Sequence, residues 1–229
     1  MDSAPEGIGL LTVPPGTSAQ EGEALRRLVK AGLRSGADVI ITAALDALPD
    51  SVDALIELAG RAQLSDSGLV GALAQDAEGL VQHAGVIVDE TEGALLPYVG
   101  MPATEHGSFA RLQVAQEMAA VAPWCLAVSR TAAASLLNET APGALATVIG
   151  AAHRLHQAGR FTVWTPYAAY RLTLGADATS LFGAGLTVAE AESLRRAGAL
   201  RDPYYHPALA RQTLFALATE LPDLAILRT

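Results

Sequence analysis

Residues that could do chemistry are few in this chain and widely spaced. His153 and His156 stand at i and i+3 on a predicted helix, a spacing that suits a metal pair; no third ligand is evident in the sequence, and a solvated helix face fits them as well. His83, in Gln82-His83-Ala84-Gly85, is a lone histidine between an apolar segment and a strand, where a satisfied structural side chain is the ordinary reading. Trp124 offers either a face on which a sugar ring could stack or a large side chain for the core. Cys125, the single cysteine, has nothing beside it in sequence that would lower its pKa, so it reads as a small buried hydrophobe. Asp46 follows an apolar run, as a turn residue after a strand would. Tyr204, Tyr205 and His206, in Arg201 to Pro207, suit a segment that pins the tail against the rest of the chain.

Composition narrows the partners. The 229 residues carry a net charge of −9 with Lys30 as the only lysine, which argues against nucleic acid and against anionic membranes, since both need a basic face. Apolar residues make up 51% of the chain, yet no apolar run is long enough to span a bilayer. The opening MDSAPEG is acidic and lacks the apolar core of a signal peptide. One cysteine permits no internal disulfide and fits a reducing compartment, so a cytoplasmic location is expected. Length and composition suit a single α/β domain over 1–229, with the tail 187–229 packing on it.

The elements that must position these residues follow from periodicity. Ile8 to Val13 reads as a strand, Leu25, Leu28, Val29 and Leu33 share a helical face after a Ser18/Glu21 capping box, and Asp38 to Thr42 is a continuous apolar strand, together a βαβ unit. A second amphipathic helix carries Val52, Leu55, Ile56 and Ala59. Strands are expected at Gly68 to Ala74 and Val86 to Val88, and Asp89 to Arg111, rich in Gly and Pro, reads as a long loop. Arg130 to Leu137 reads as a short helix. Leu145, Val148, Ile149, Ala152 and Leu155 recur at helical spacing, Gly159 is the expected C-terminal cap, and Phe161, Val163 and Trp164 begin a strand that Pro166 should end. A capping box at Thr187 and Glu190 opens a helix to about Ala197, and Leu214 to Leu217 reads as helical.

The order of short motifs resembles the family-2 glycosyltransferase domains of bacterial surface-polysaccharide assembly. Asp38-Val39-Ile40-Ile41 with Leu45-Asp46 resembles D-V-L-L-L-L-N-N-D; Val70-Gly71-Ala72 resembles V-G-A-K-L; Gln82 to Val86 resembles I-Q-H-A-G-V-V. Gly100, Pro102, Gly107 and Arg111 match the spacing of the loop that follows, Ala120 to Leu126 resembles S-A-V-T-A-A-C-L, and Arg201 to Pro207 resembles R-D-P-Y-Y-N-P. Arg154, Ala158, Gly159, Val163, Trp164, Thr165 and Pro166 fall in register with the family's catalytic helix and the strand after it.

The resemblance implies a GT-A-like, Rossmann-like α/β fold with a mixed, mainly parallel sheet flanked by helices. It gives Asp46 the role of nucleotide and metal carboxylate, and it puts His83, Trp124 and Cys125 on the acceptor side of a cleft. The departures fall on the positions that matter for reaction. The metal triplet reads Ala44-Leu45-Asp46, the two catalytic Asp positions are Val148 and Gly150, and the late metal-contacting His is Leu172. The two base-binding strands of the family, with their V-S-I-I-I-P and D-D-G-S signatures, are absent. The expectation is therefore a catalytically inactive glycosyltransferase-like domain with a structural, partner-binding or glycan-binding role. It would need no cofactor, and a homodimer or protein partner would cover the incomplete sheet. The alternative is an active nucleotide-sugar-dependent transferase that uses Mn²⁺ or Mg²⁺ at Asp46, with Glu139 or Asp177 as replacement base.

Overall fold

The structure is a computed structural model that describes residues 8–13, 21–173, 175–182 and 185–218. Strand β1 (Ile8–Val13), helix α1 (Glu21–Arg34) and strand β2 (Val39–Ala44) form the expected βαβ unit, with β1 and β2 parallel over their full length. Ser18, expected to cap α1, lies outside the described residues. Strand β2 turns through Leu45 and Asp46 into β3 (Ala47–Pro49), and α2 (Val52–Ala62) follows, its first turn closed by the Ser51 hydroxyl accepting the Ala54 N–H at 3.1 Å. The chain continues through β4 (Ser67–Gln75), β5 (Val81–His83), and a small separate hairpin of β6 (Ile87–Asp89) and β7 (Gly93–Leu95). Next come β8 (Gln116–Glu117), β9 (Leu126–Ser129), α3 (Ala133–Leu137), α4 (Ala144–Gln157) and β10 (Phe161–Leu172). Helices α5 (Thr179–Phe182) and α6 (Val188–Arg196) are the last helices among the described residues.

The expected GT-A-like, mainly parallel, helix-flanked sheet is overturned. Five strands close on themselves in the order β4, β9, β2, β3, β10 and back to β4, giving a mixed barrel to which β1, β5 and β8 add. Among the described residues only β1–β2 and β4–β10 pair in parallel; the other seven strand pairings are antiparallel. A fully buried apolar strand looks the same in sequence whichever way its neighbours run, so the apolar runs of β2 and β4 carried no information on direction. Helix α2 touches all five strands of the ring. It packs Ala54, Leu55, Leu58, Ala59 and Ala62 against the ring and leaves Val52 and Ile56 exposed, so the sheet closes on itself with α2 laid against it.

Strand β10 makes this closure possible, and Pro166 does not end it. Thr165 pairs with Ala72 and Ala169 with Leu73, so the residues between bulge out of the ladder, and Pro166, which has no N–H to give, sits in that bulge. Beyond it β10 bends across to pair with β3. The Tyr170 hydroxyl then donates to the Thr42 carbonyl at 3.0 Å, tying β10 to β2 from within.

Elsewhere local signals and structure agree closely. Helix α4 ends in the expected left-handed glycine: Gly159 has φ +76°, its N–H reaches the His156 carbonyl at 2.9 Å, and Arg160 N–H reaches Leu155 at 2.9 Å. Thr187 and Glu190 form the expected capping box. Two expectations fail locally: Asp89 to Arg111 contains β7 and a short 3-10 turn, and Leu214 to Leu217 is a turn with a bridge from Leu209 to Leu217, not a helix. No helix among the described residues is long and apolar enough to cross a membrane.

Candidate functional site

Asp46 occupies the tip of the tight turn between β2 and β3, beside Leu45, which is 54% exposed. Its carbonyl accepts the Thr173 N–H at 2.8 Å, which holds the turn against the end of β10. β4 and β9 lie between the strand that ends here and β5, which carries His83.

His83 is wholly buried and fully engaged. Nδ1 lies 2.7 Å from the Ala72 carbonyl and Nε2 lies 3.1 Å from the Ala122 amide. Since the amide must donate and the carbonyl must accept, the proton sits on Nδ1 and the ring is neutral. Burial drives its pKa down to about 4, against the weaker opposing pull of the Ala72 hydrogen bond. The Cys125 sulfur lies 3.2 Å from Nδ1, and the Phe182 ring meets the imidazole edge-on at 5.5 Å. Burial pushes the Cys125 thiol well up, so it stays protonated and is no nucleophile. Trp124 is 4% exposed, which decides between its two readings: it is a core side chain and shows no face to a sugar.

The structure thus brings His83 and Cys125 together, with Trp124 next along the chain, but as a cross-link between β5, β4 and the segment before β9. Thr42 completes it from β2, its hydroxyl donating to the Pro123 carbonyl at 2.6 Å. Satisfied buried polar groups of this kind fix register; they do not transform a substrate.

The helix positions matched to the catalytic carboxylates lie elsewhere. Val148 has zero exposure. At Gly150 a Cβ would come within 2.7 Å of the Glu139 carboxyl, so the missing side chain leaves room for a carboxylate that arrives from the preceding loop. Glu139 ion-pairs with Arg154 at 2.8 Å. Its pKa is raised, because burial outweighs the pull of Arg154 and Arg26. Asp177 is exposed.

His153 and His156 do not converge on a metal. The Gln157 amide lies 3.0 Å from His153 Nε2, and the Tyr204 hydroxyl lies 3.1 Å from His156 Nδ1. Among the described residues no group of three or more His, Cys, Asp or Glu is placed to hold a metal ion. Asp202 anchors the tail by accepting the amides of Val88, Tyr204 and Tyr205 at 3.0, 2.8 and 2.9 Å.

Sequence reasoning missed a pocket of about 110 Å³ where α2 ends, lined by Arg61, Leu64, Asp66, Ser67, Glu117, Phe161 and Val163. Its residues come from three separate stretches of chain joined by strand pairing, and no local motif marks them. β4 runs in the same direction as β2, and the pocket lies at the start of β4 whereas Asp46 follows the end of β2. The two features are therefore at opposite ends of the ring.

Fold and site together define a mixed five-strand barrel with one helix packed against all five strands and a neutral histidine cross-linking its wall. No protein-family model matches the chain. It is similar to the uncharacterized protein y4gI of Sinorhizobium fredii, with 33% identity over 118 residues. The match takes in 51% of this chain and 13% of that protein, so the chain spans only a small part of its relative's length. Neither comparison supports the glycosyltransferase assignment, and the barrel removes the GT-A fold from it.

Proposed function

We propose that this chain is a catalytically inactive domain of glycosyltransferase-like sequence, with a structural, partner-binding or glycan-binding role in bacterial polysaccharide biosynthesis. The observation that carries this reading is the placement of Val148 at zero exposure in the packed core, at the position that the sequence resemblance gives to the general base. Such a base contributes about 10²–10⁴-fold to a transfer reaction, and valine cannot accept a proton. His83 and Cys125, which the resemblance puts on the acceptor side, are neutral and buried. A cytoplasmic setting suits a chain with one buried, reduced cysteine. β1 pairs only with β2 among the described residues, which leaves an edge for a second copy or a partner strand to cover.

The test is calorimetric titration of the whole chain with UDP, GDP and TDP, each with and without Mn²⁺. No binding is expected with any of them. Metal-dependent binding in the micromolar range that disappears in Asp46→Ala would overturn the proposal in favour of an active nucleotide-sugar transferase with Asp46 holding the metal and diphosphate.

A further inference from the structure

Four residues other than glycine have positive φ among the described residues: Tyr98, Phe109, Ala110 and Phe215. Two of them form one turn. The Arg111 N–H returns to the Ser108 carbonyl at 3.1 Å, so Phe109 and Ala110 are its central residues, with φ +56° and +59°. Two successive left-handed residues make a turn that favours Asn-Gly, and neither phenylalanine nor alanine suits it. In the tail the Ala216 N–H returns to the Thr213 carbonyl at 3.1 Å, which sets Phe215 at the third position of a turn with φ +67°, where glycine is the usual residue.

The strained positions meet. The Tyr98 ring, on a residue with φ +64°, stacks on the Phe215 ring at 5.0 Å and 13°. The Arg111 guanidinium also lies over the Phe215 ring, at 5.2 Å, and a Cβ at Gly107 would come within 3.1 Å of the Tyr98 ring. On the tail side the Tyr205 hydroxyl takes the Phe215 N–H at 2.8 Å and donates to the Ala210 carbonyl at 2.7 Å. Backbone strain persists only where surrounding contacts over-determine it, and here those contacts join the 98–112 loop to the 205–216 tail. Phe109 itself is 91% exposed, so packing of its own side chain does not hold it left-handed.

We infer that the 205–216 segment is a clasp. Closed, it holds the 98–112 loop in its left-handed form with Phe109 displayed to solvent; open, it lets both turns relax. Loop and clasp form one two-state unit, and since neither supplies a strand of the five-strand ring, that unit opens while the barrel stays intact. This coupling is independent of the reading of the chain as glycosyltransferase-like.

The experiment is native-state hydrogen exchange of the whole 15N-labelled chain, comparing the parent with Ala110→Gly and Phe215→Ala. The Arg111 and Leu112 amides, bonded to the Ser108 and His106 carbonyls, report the loop. The Ala210 and Ala216 amides report the clasp, and the Ala72 amide, bonded to the Cys125 carbonyl, reports the ring. Ala110→Gly relieves the loop and leaves the ring stack intact. It should slow exchange about fivefold in loop and clasp alike, the left-handed cost of alanine less the extra freedom of glycine in the open loop. Phe215→Ala keeps the tail turn but removes the stacked ring, and should speed both sets about tenfold. Ala72 should not change in either variant. If Phe215→Ala fails to fold, Ala110→Gly decides alone. Slower exchange in the loop with an unchanged clasp in Ala110→Gly, or an unchanged loop in Phe215→Ala, would overturn the coupling. A matching change at Ala72 would show that the unit opens only with the barrel, and unchanged or faster loop exchange in Ala110→Gly would remove the strain on which the inference rests.

Discussion

His83 shows how far the meaning of a residue depends on what surrounds it. In sequence it could be a cleft residue or a structural one; in the fold both nitrogens are spoken for, and the acceptor role of Nε2 forbids the imidazolium. That constraint has a measurable consequence. An unfolded histidine takes up a proton near pH 6.5, whereas the folded His83 resists until about pH 4. Between those values the unfolded state binds more protons, so stability falls as pH falls through the window. At about 1.4 kcal/mol per unit, the full loss is about 3 kcal/mol. Urea midpoints of the parent and of His83→Gln, compared from pH 7 to pH 4, should show this extra slope in the parent alone; the other histidines titrate in both proteins and cancel. Equal slopes would mean that His83 reaches solvent and protonates in the folded state.

At the scale of elements, what was legible in the sequence was whatever is local. The βαβ unit from Ile8 to Ala44, the helix closed by Gly159 and the capping box at Thr187 depend on residues within a few positions of one another, and all are present. What was not legible was decided at a distance. β9 enters antiparallel between β2 and β4, and β10 runs on through a proline. The candidate site divides the same way: the residue types at His83, Trp124 and Cys125 drew attention to them, but their burial and the contact of His83 with Cys125 come from strand pairing, and Ser67 carried no local signal at all. The bulge in β10 makes its own prediction. Trp164 before it and Ala168, Tyr170 and Leu172 after it are all buried with almost no exposure, and the extra residues between Thr165 and Ala169 set the register of the second half of β10 against β4. Deleting Tyr167 shifts the phase by one, turning either Tyr170 and Leu172 or Trp164 outward, and the chain should lose its cooperative thermal transition. Tyr167→Ser keeps the phase and should unfold as sharply as the parent, with a loss of about 1 kcal/mol from the packing of an exposed ring. A deletion variant that melts like the parent would show that the bulge absorbs a lost residue and that register is set elsewhere.

For the whole molecule, the issue is whether the closed ring behaves as one body. In an open sheet between two helix layers, a helix supports the strands beneath it and the far edge stays independent. Here α2 touches β2, β3, β4, β9 and β10, and Leu58 sits at zero exposure on its inward face. Truncating Leu58 to alanine removes about three methylene equivalents from the packing between α2 and the ring and leaves a cavity, a change that costs about 3–5 kcal/mol. Because every strand of the ring leans on α2, native-state hydrogen exchange should report that loss evenly across β2, β4, β9 and β10. Ile56, on the same helix but 53% exposed, provides the contrast: Ile56→Ala should change protection by less than about 1 kcal/mol. Protection lost on β2 and β4 but retained on β10 would mean that the contact between β3 and β10 does not couple the two sides. The ring would then be closed in geometry alone, with the wall that carries His83 and the end that carries Ser67 free to open separately.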